Sequence, residues 1–293
     1  MLDWLAALVK AVGYGAALSA AGAALIRVTL LRKSAWRDYD RKLSRIAGVA
    51  LVCTVLAGEA ILVLRLGGYW DLPTLTDIFG SPLGVALALQ VIGGAWLARG
   101  TGRVEGLLPA ILVLATFAVS GHAPAQNWVL GVVVSLHVCA AAWWAGGLWV
   151  LRRACGDGDT ADLADMTRRF SIQAIWVVAG LVLAGIATAA VLLHFSVDLS
   201  RAYDRVLVLK LALVLALLTA AARNKLLLTP RLKAEARARH ALRRSINFEL
   251  ACFGLIALTT AYLTTFTSPH DAGQTHRMMG TPPPNTMDRG QRS

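Results

Sequence analysis

The stretch SLHVCAAAWWAGGLWVL, residues 135–151, places a histidine within a run that otherwise suits the interior of a lipid bilayer. Extended back to residue 128, this run is long enough to cross the hydrocarbon core as a helix, which takes about 20 residues. His137 then lies roughly 14 Å below the start of the helix, near the middle of the core. Ionisable groups at that depth are rare and often mark an ion path or a cofactor site. The alternative is a neutral histidine that is only hydrogen-bonded to a neighbouring helix.

The whole chain has the composition of a polytopic membrane protein. It has 293 residues, a mean hydropathy of +0.60 and only 16% charged residues, too few charges to cover a soluble protein of this size. Its apolar blocks predict an all-α membrane bundle of about eight transmembrane helices. The predicted spans are residues 4–31, 43–66, 82–98, 104–121, 128–151, 170–194, 206–228 and 246–267.

The basic residues predict the orientation of these spans. Most of the 29 Lys and Arg residues lie in the connections after the odd-numbered spans, the first connection being counted from Arg27. Because cytoplasmic loops are enriched in Lys and Arg, both termini are predicted to face outside. Residues 230–244 are expected to form a short basic cytoplasmic helix, either near anionic lipid or as a solvated loop helix, which the sequence favours. The formal charge of +12 therefore indicates membrane orientation rather than nucleic-acid binding.

Further candidate metal ligands are predicted on the same outer side as His137. His122 follows the fourth span and His194 ends the sixth, while Glu59 lies roughly 10 Å below the outer end of the second span. In a purely structural account, Glu59 instead pairs with Arg65 or Lys210. The shared bias towards one side favours a path for a cation that enters from the outer side of the membrane.

Three residues below His137 on the same span are predicted to shape the space beneath it. Trp144 lies two helical turns from His137, on a related face, so it is a candidate floor for the site. Gly146 and Gly147 allow another helix to approach closely, since small residues mark packed helix faces in membranes. Packing alone is an equally good explanation of all three.

The C-terminal tail carries soft ligands. It contains two histidines and several methionines, and the candidate ligands among them are His270, His276, Met278 and Met279. Thioether and imidazole groups favour copper, especially Cu(I), whereas Mg²⁺ and Ca²⁺ prefer oxygen. The PPP run predicts an extended tail. A disordered polar tail whose methionines bind no metal is the alternative.

Several of these residues also form a recognisable pattern. The spacing H-x6-W-x-G-G, from His137 to Gly147, resembles the CopD/PcoD family of copper-resistance membrane proteins. The span containing Lys210, Asn224 and Pro230 looks like the family's Lys…Asn-Arg…Pro span, with lysine at 225 in place of the expected arginine. RRSINFE, residues 243–249, is similar to the family's entry to the last helix.

The resemblance implies a protein of the bacterial inner membrane that handles copper, commonly alongside a periplasmic copper-binding partner of the CopC type. Uptake of Cu(I) or Cu(II) from periplasm to cytoplasm is the expected function, with no enzymatic activity. Three parts are predicted. Residues 1–127 form an N-terminal four-helix half, residues 128–267 a CopD-like four-helix half, and residues 268–293 a flexible periplasmic tail.

Two other functions stay open from the sequence. In the first, paired histidines such as His137 with His122 or His194 hold a haem between helices, as in a membrane cytochrome. The lack of a second histidine at mid-depth weakens this alternative. In the second, the protein is a membrane receptor for a periplasmic copper chaperone and transports nothing.

Overall fold

The computed structural model of the chain describes residues 1–31, 34–65, 67, 71–119, 128–157, 159–193, 200 and 202–266. Within them the secondary structure is helical. The principal helices are α1 (Leu2–Thr29), α2 (Ser34–Arg65), α3 (Leu72–Phe79), α4 (Pro82–Ala98), α5 (Leu107–Val119), α6 (Trp128–Asp157), α7 (Thr160–Leu193), α8 (Ala202–Arg223) and α9 (Ala236–Phe266).

Six helices in the described part, α1, α2 and α6–α9, are long and apolar enough to cross a membrane. The apolar helices α4 and α5 are shorter and correspond to the third and fourth predicted spans. Every predicted span thus overlaps an apolar helix, and the all-helical polytopic fold is confirmed. The short helix α3 was not predicted, because eight residues are too few to give a spanning signal.

The basic segment 230–244 is not a separate helix lying on the membrane. A π-helical turn, Asn224–Leu228, continues α8 and leads into a single α-helical turn, Thr229–Arg231. Residues 232–235 are not helical, and residues 236–244 form the first turns of α9. Pro230 is tolerated because it lies in the first turn of its element, where its missing N–H would have had no helical partner. The prediction of an independent cytoplasmic helix was therefore wrong.

Helix α1 lies at the centre of the bundle and packs against α2, α5, α6 and α9. One of its faces consists of alanines that are almost completely buried, including Ala17, Ala20, Ala21 and Ala24. Small side chains let helix backbones approach each other, which is how apolar helices gain contact in a solvent as apolar as themselves. The closest approach joins Gly22 of α1 to Gly146 of α6, where a Cβ on either residue would overlap the other helix.

Contacts between chain ends show which helix termini share a side of the bundle. The Trp4 ring of α1 lies 4.6 Å from the Phe266 ring of α9, measured between centroids, and Asp3 forms an ion pair with Arg65 at 2.6 Å. At the opposite end, Arg239 donates to the carbonyl oxygen of Cys155 at 2.8 Å. The start of α1 and the end of α9 therefore lie on one side, as the span count requires. That this side is periplasmic stays a prediction.

Arg27 was counted among the loop charges that orient the chain, and the structure places it inside α1 instead. Its side chain is 1% exposed and its Nε donates to Asp40 Oδ2 at 2.7 Å. The same guanidinium donates to the backbone oxygens of Thr101 and Gly102. Arg27 therefore joins α1, α2 and the α4–α5 connection as a buried structural charge.

Candidate functional site

His137 lies half-buried on α6, with its ring directed at α7. Its Nδ1 is 3.0 Å from the carbonyl oxygen of Leu181. A carbonyl oxygen only accepts hydrogen bonds, so Nδ1 carries the hydrogen and, in a neutral ring, Nε2 keeps its lone pair. A histidine that donates one ring N–H to a backbone carbonyl and presents the other nitrogen has the arrangement that metal-binding histidines commonly use.

A glycine on α7 makes room for this imidazole. A Cβ placed on Gly185 would lie 3.3 Å from His137 Cε1 and 3.7 Å from Nδ1. Gly185 is one helical turn after Leu181, so the residue that accepts the hydrogen bond and the residue that clears space for the ring share a face of α7. The local sequence of α7 therefore fixes both the direction and the depth of the imidazole.

Lys210 of α8 is the charged neighbour of His137, and its ammonium repels positive charge on the imidazole. In the described part of the chain, α7 packs on α6 and α8 packs on α9, but α7 and α8 do not form a packed pair. A cation bound to His137 Nε2 meets the same repulsion.

Glu59 does not join His137. It is half-exposed on α2, a helix that barely touches α6, and it is absent from the hydrogen-bonding and electrostatic partners of His137, which are Leu181 and Lys210. Among the described residues, no ion pair joins Glu59 to Arg65, whose guanidinium bonds Asp3. None of the ion pairs in that part of the chain joins Glu59 to Lys210 either.

The remaining predicted ligands lie outside the described residues. These are His122, His194, His270, His276, Met278 and Met279. Within the described ranges, no group of three His, Cys, Asp or Glu side chains is arranged to hold a metal ion. Of the predicted ligand set, the structure therefore gives detailed geometry only for His137 and places Glu59 on another helix.

A second buried polar group, which the sequence interpretation did not treat as a site, joins α9 to α6 and to the end of α8. Glu249 of α9 is 1% exposed and accepts hydrogen bonds from the Asn224 amide and the Trp144 indole. The Trp144 ring also lies edge-on to Phe253, with centroids 5.8 Å apart. A glutamate within an apolar helix is the sequence signal that could have indicated this cluster.

The π-helical turn at the end of α8 positions Asn224 for this contact. A π turn inserts one extra residue per helical turn and turns the following side chains relative to the preceding ones; such turns are frequent at functional sites. The Asn224 carbonyl oxygen accepts from Thr229 Oγ1 at 2.8 Å, which holds the turn. Asn224 Oδ1 is buried and has no partner among the described residues.

The three residues predicted to shape the space below His137 make their contacts elsewhere. They are Trp144, Gly146 and Gly147. Trp144 bonds Glu249, and Gly146 meets the Gly22 backbone of α1. A Cβ on Gly147 would overlap the ring of Phe170 on α7. Gly147 is ten residues beyond His137, roughly 15 Å along the helix. The glycine pair therefore sets how closely two helices approach α6, as the packing explanation proposed.

Comparison with known protein families identifies the second half of the chain. Residues 164–263 match the family model described as "CopD: Copper resistance protein D". The match includes Lys210, Asn224 and Glu249 and begins after the His137–Gly147 pattern. No curated protein and no solved structure gave a match. Over residues 164–263 this multi-pass membrane protein is therefore similar to the copper resistance protein D family.

Proposed function

We propose that this protein is a carrier, not an enzyme, that moves copper from the periplasm across the bacterial inner membrane into the cytoplasm, with His137 as an intramembrane ligand. The observation that carries the proposal is the hydrogen bond from His137 Nδ1 to Leu181 O, which leaves Nε2 available to a metal. The similarity to the copper resistance protein D family supplies copper as the substrate.

A copper ion that leaves water needs replacement donors, because an unsolvated cation in hydrocarbon is prohibitively costly. Neutral imidazole is a good donor for copper, and its second nitrogen is oriented by the Leu181 carbonyl. The repulsion from Lys210 weakens cation binding at this position. A weak intermediate site suits a transport path, because the ion must leave again.

Capture is assigned to the outer side of the protein. His122, His194 and the tail ligands His270, His276, Met278 and Met279 are proposed to collect copper there, received from a periplasmic copper-binding protein of the CopC type. Ligands on a flexible tether raise the local copper concentration without forming part of the path. Glu59 is proposed to balance charge on the outer half of α2 rather than to bind together with His137.

Copper flux into proteoliposomes tests the proposal. The full chain is reconstituted, Cu(I) and Cu(II) are supplied separately, and wild type is compared with His137→Ala. His240→Ala is the matched control, because His240 is an exposed imidazole at the other end of the bundle. Loss of flux in His137→Ala alone supports the carrier. Normal flux in His137→Ala would reduce the imidazole to a packing residue and remove the proposed path.

The same preparation separates the two other functions. A haem protein would show a Soret band in the absorbance spectrum of protein purified with its native complement of cofactors. A receptor for a copper chaperone would bind its partner and show no flux in wild type. Flux without a Soret band is the result expected here.

A further inference from the structure

We infer that a groove between α8 and α9 binds an anionic phospholipid of the cytoplasmic leaflet, with the phosphate between Arg223 and Arg244 and an acyl chain along the groove. The groove encloses about 810 Å³. His137 is not among the residues that line this groove.

The groove is lined by one face of α8 and one face of α9. On α8 the lining residues recur at helical spacing from Ala212 to Arg223, and on α9 from Ala241 to Phe248. The full lining is Ala212, Leu215, Ala216, Thr219, Ala220, Arg223, Ala241, Arg244, Ser245 and Phe248. From Arg223 to Ala212 the groove extends roughly 16 Å along α8, which matches much of one leaflet of a ~30 Å hydrocarbon core.

The groove is cationic at one end and apolar at the other, which matches the polar headgroup and the apolar acyl chain of a phospholipid. Both arginines lie at the end near the connection between α8 and α9, the side predicted to be cytoplasmic. Away from them the walls are alanine with exposed Leu215 and Phe248. Alanines keep the groove open, since a larger side chain at those positions would fill it. The chemistry therefore offers a cationic site for a phosphate and an apolar channel for a chain.

No carboxylate that lines the groove neutralises the positive charges of its two arginines. Arg223 and Arg244 are both exposed, and among the residues the structure describes neither guanidinium has a hydrogen bond or an ion pair with a carboxylate. No acidic residue lines the groove. The hydroxyl group of Ser245 lies beside Arg244 in sequence and adds a potential donor to a phosphate oxygen. Two unpaired arginines recognise a phosphate group well.

The occupant is a lipid rather than a free anion because the arginines account for only one end of the groove. The apolar walls of α8 face the bilayer, where acyl chains are the available solvent. Anionic headgroups are attracted to basic residues at the cytoplasmic surface by about 1 kcal/mol for each Lys or Arg. A zwitterionic lipid presents the same phosphate but adds a cation that the two arginines repel.

Native mass spectrometry of the full purified chain tests this. The protein is equilibrated with equal amounts of phosphatidylglycerol and phosphatidylcholine, and the retained lipids are counted. Wild type is expected to retain one phosphatidylglycerol molecule in preference to phosphatidylcholine. In Arg223→Gln/Arg244→Gln this preference should fall roughly tenfold or more. The control Arg231→Gln/Arg237→Gln removes the same charge from exposed arginines outside the groove and should leave the preference unchanged.

Two further arms separate a lipid from a free phosphate. Thr219→Phe fills the exposed wall without changing charge and should lower phosphatidylglycerol retention, and glycerol 3-phosphate should fail to displace the lipid. Circular dichroism and gel-filtration elution verify that each variant is folded. Three results would each overturn the proposal. The first is an equal loss of phosphatidylglycerol preference in the control double variant, and the second is full phosphatidylglycerol retention in Thr219→Phe. The third is displacement of the lipid by glycerol 3-phosphate.

Discussion

The side-chain amide of Asn224 donates a hydrogen bond to the carboxylate of Glu249, joining the end of α8 to the middle of α9 across a buried part of the bundle. The Trp144 indole of α6 donates to the same carboxylate. Side chains from α6, from α9 and from the π-helical turn that continues α8 therefore meet at one glutamate. Because two donors depend on it and all three side chains are buried, this glutamate is predicted to stabilise the packing of these helices.

Replacing Glu249 by alanine is expected to destabilise the protein strongly. Two buried donors, on Asn224 and Trp144, lose their acceptor, at about 1–3 kcal/mol for each unsatisfied group. Glu249→Gln keeps an acceptor oxygen and should retain most of the stability. Unfolding of the purified protein in detergent, followed by circular dichroism, measures the effect. Glu235→Ala is the control, because Glu235 is exposed just before α9; equal loss in both alanine variants would contradict the assignment.

Replacing Gly146 by alanine is expected to force α1 and α6 apart. The new methyl group would overlap the backbone of Gly22, which has no side chain to move aside. Overpacking of this kind costs about 1–3 kcal/mol. Gly254→Ala is the matched control, since nothing lies within 4 Å of a Cβ at that helical position. There alanine should be neutral or stabilise by about 1 kcal/mol through its helix propensity.

Breaking the buried ion pair between Arg27 and Asp40 is expected to cost about 3–5 kcal/mol, because one charge is left buried and unpaired. Arg27→Met is the test, and Arg27→Met/Asp40→Leu should recover much of the loss. Recovery should stop short of wild type, since the Thr101 and Gly102 carbonyls also lose their donor. Chemical unfolding of wild type, Arg27→Met, Asp40→Leu and the double variant gives the coupling between the two side chains.

The exposed pair Arg41–Asp38, 3.3 Å apart, provides the control for this cycle. An ion pair at a surface contributes about 0–1 kcal/mol, because water and salt screen it. Arg41→Met should therefore change stability little. If it destabilised the protein as much as Arg27→Met, burial of the Arg27–Asp40 pair would not be the cause.

The membrane helices could be predicted from sequence because apolar length is a local property. The span predicted at residues 82–98 coincides with α4. The roles of individual charges could not be predicted in the same way. Arg27 looked like a loop residue, since its partner Asp40 lies beyond the turn and the Thr101 carbonyl lies in another connection.

The candidate site was only partly predictable for a related reason. The depth of His137 follows from helical rise, but its hydrogen bond to Leu181 depends on which face of α7 meets α6. Asn224 and Glu249 were visible as motif residues, yet their contact depends on a π turn that no local pattern indicated. Glu59 was grouped with His137 by depth alone, and depth does not report which helices are neighbours.

Removing the charge of Lys210 is expected to strengthen copper binding at His137. Lys210 repels a positive charge on the imidazole, and a copper ion on Nε2 experiences the same field. Lys210→Met should raise copper affinity by roughly tenfold, equivalent to about 1.4 kcal/mol of removed repulsion. Competition with a chromophoric Cu(I) chelator measures it. If Lys210→Met raised copper affinity equally in the His137→Ala background, the affected copper site would not be His137.

Moving the His137 ring without changing its chemistry gives the sharpest test of the proposed ligand. In Gly185→Ala the new methyl group lies 3.3 Å from His137 Cε1, closer than such contacts normally are, so the ring must shift against its hydrogen bond to Leu181. Displacing the partner that orients a metal-binding histidine typically lowers metal affinity by about 10–100-fold. Copper affinity and copper flux should therefore both fall in this variant.

Gly180→Ala is the control for this substitution. It adds the same methyl group to the same helix at a position with nothing within 4 Å, so affinity and flux should match wild type. A His137→Ala background adds a second control, because Gly185→Ala should have no further effect once the imidazole is absent. If Gly185→Ala bound and carried copper like wild type while His137→Ala did not, the orientation imposed by Leu181 would be irrelevant to the ligand. If both variants behaved like wild type, copper would pass without using His137.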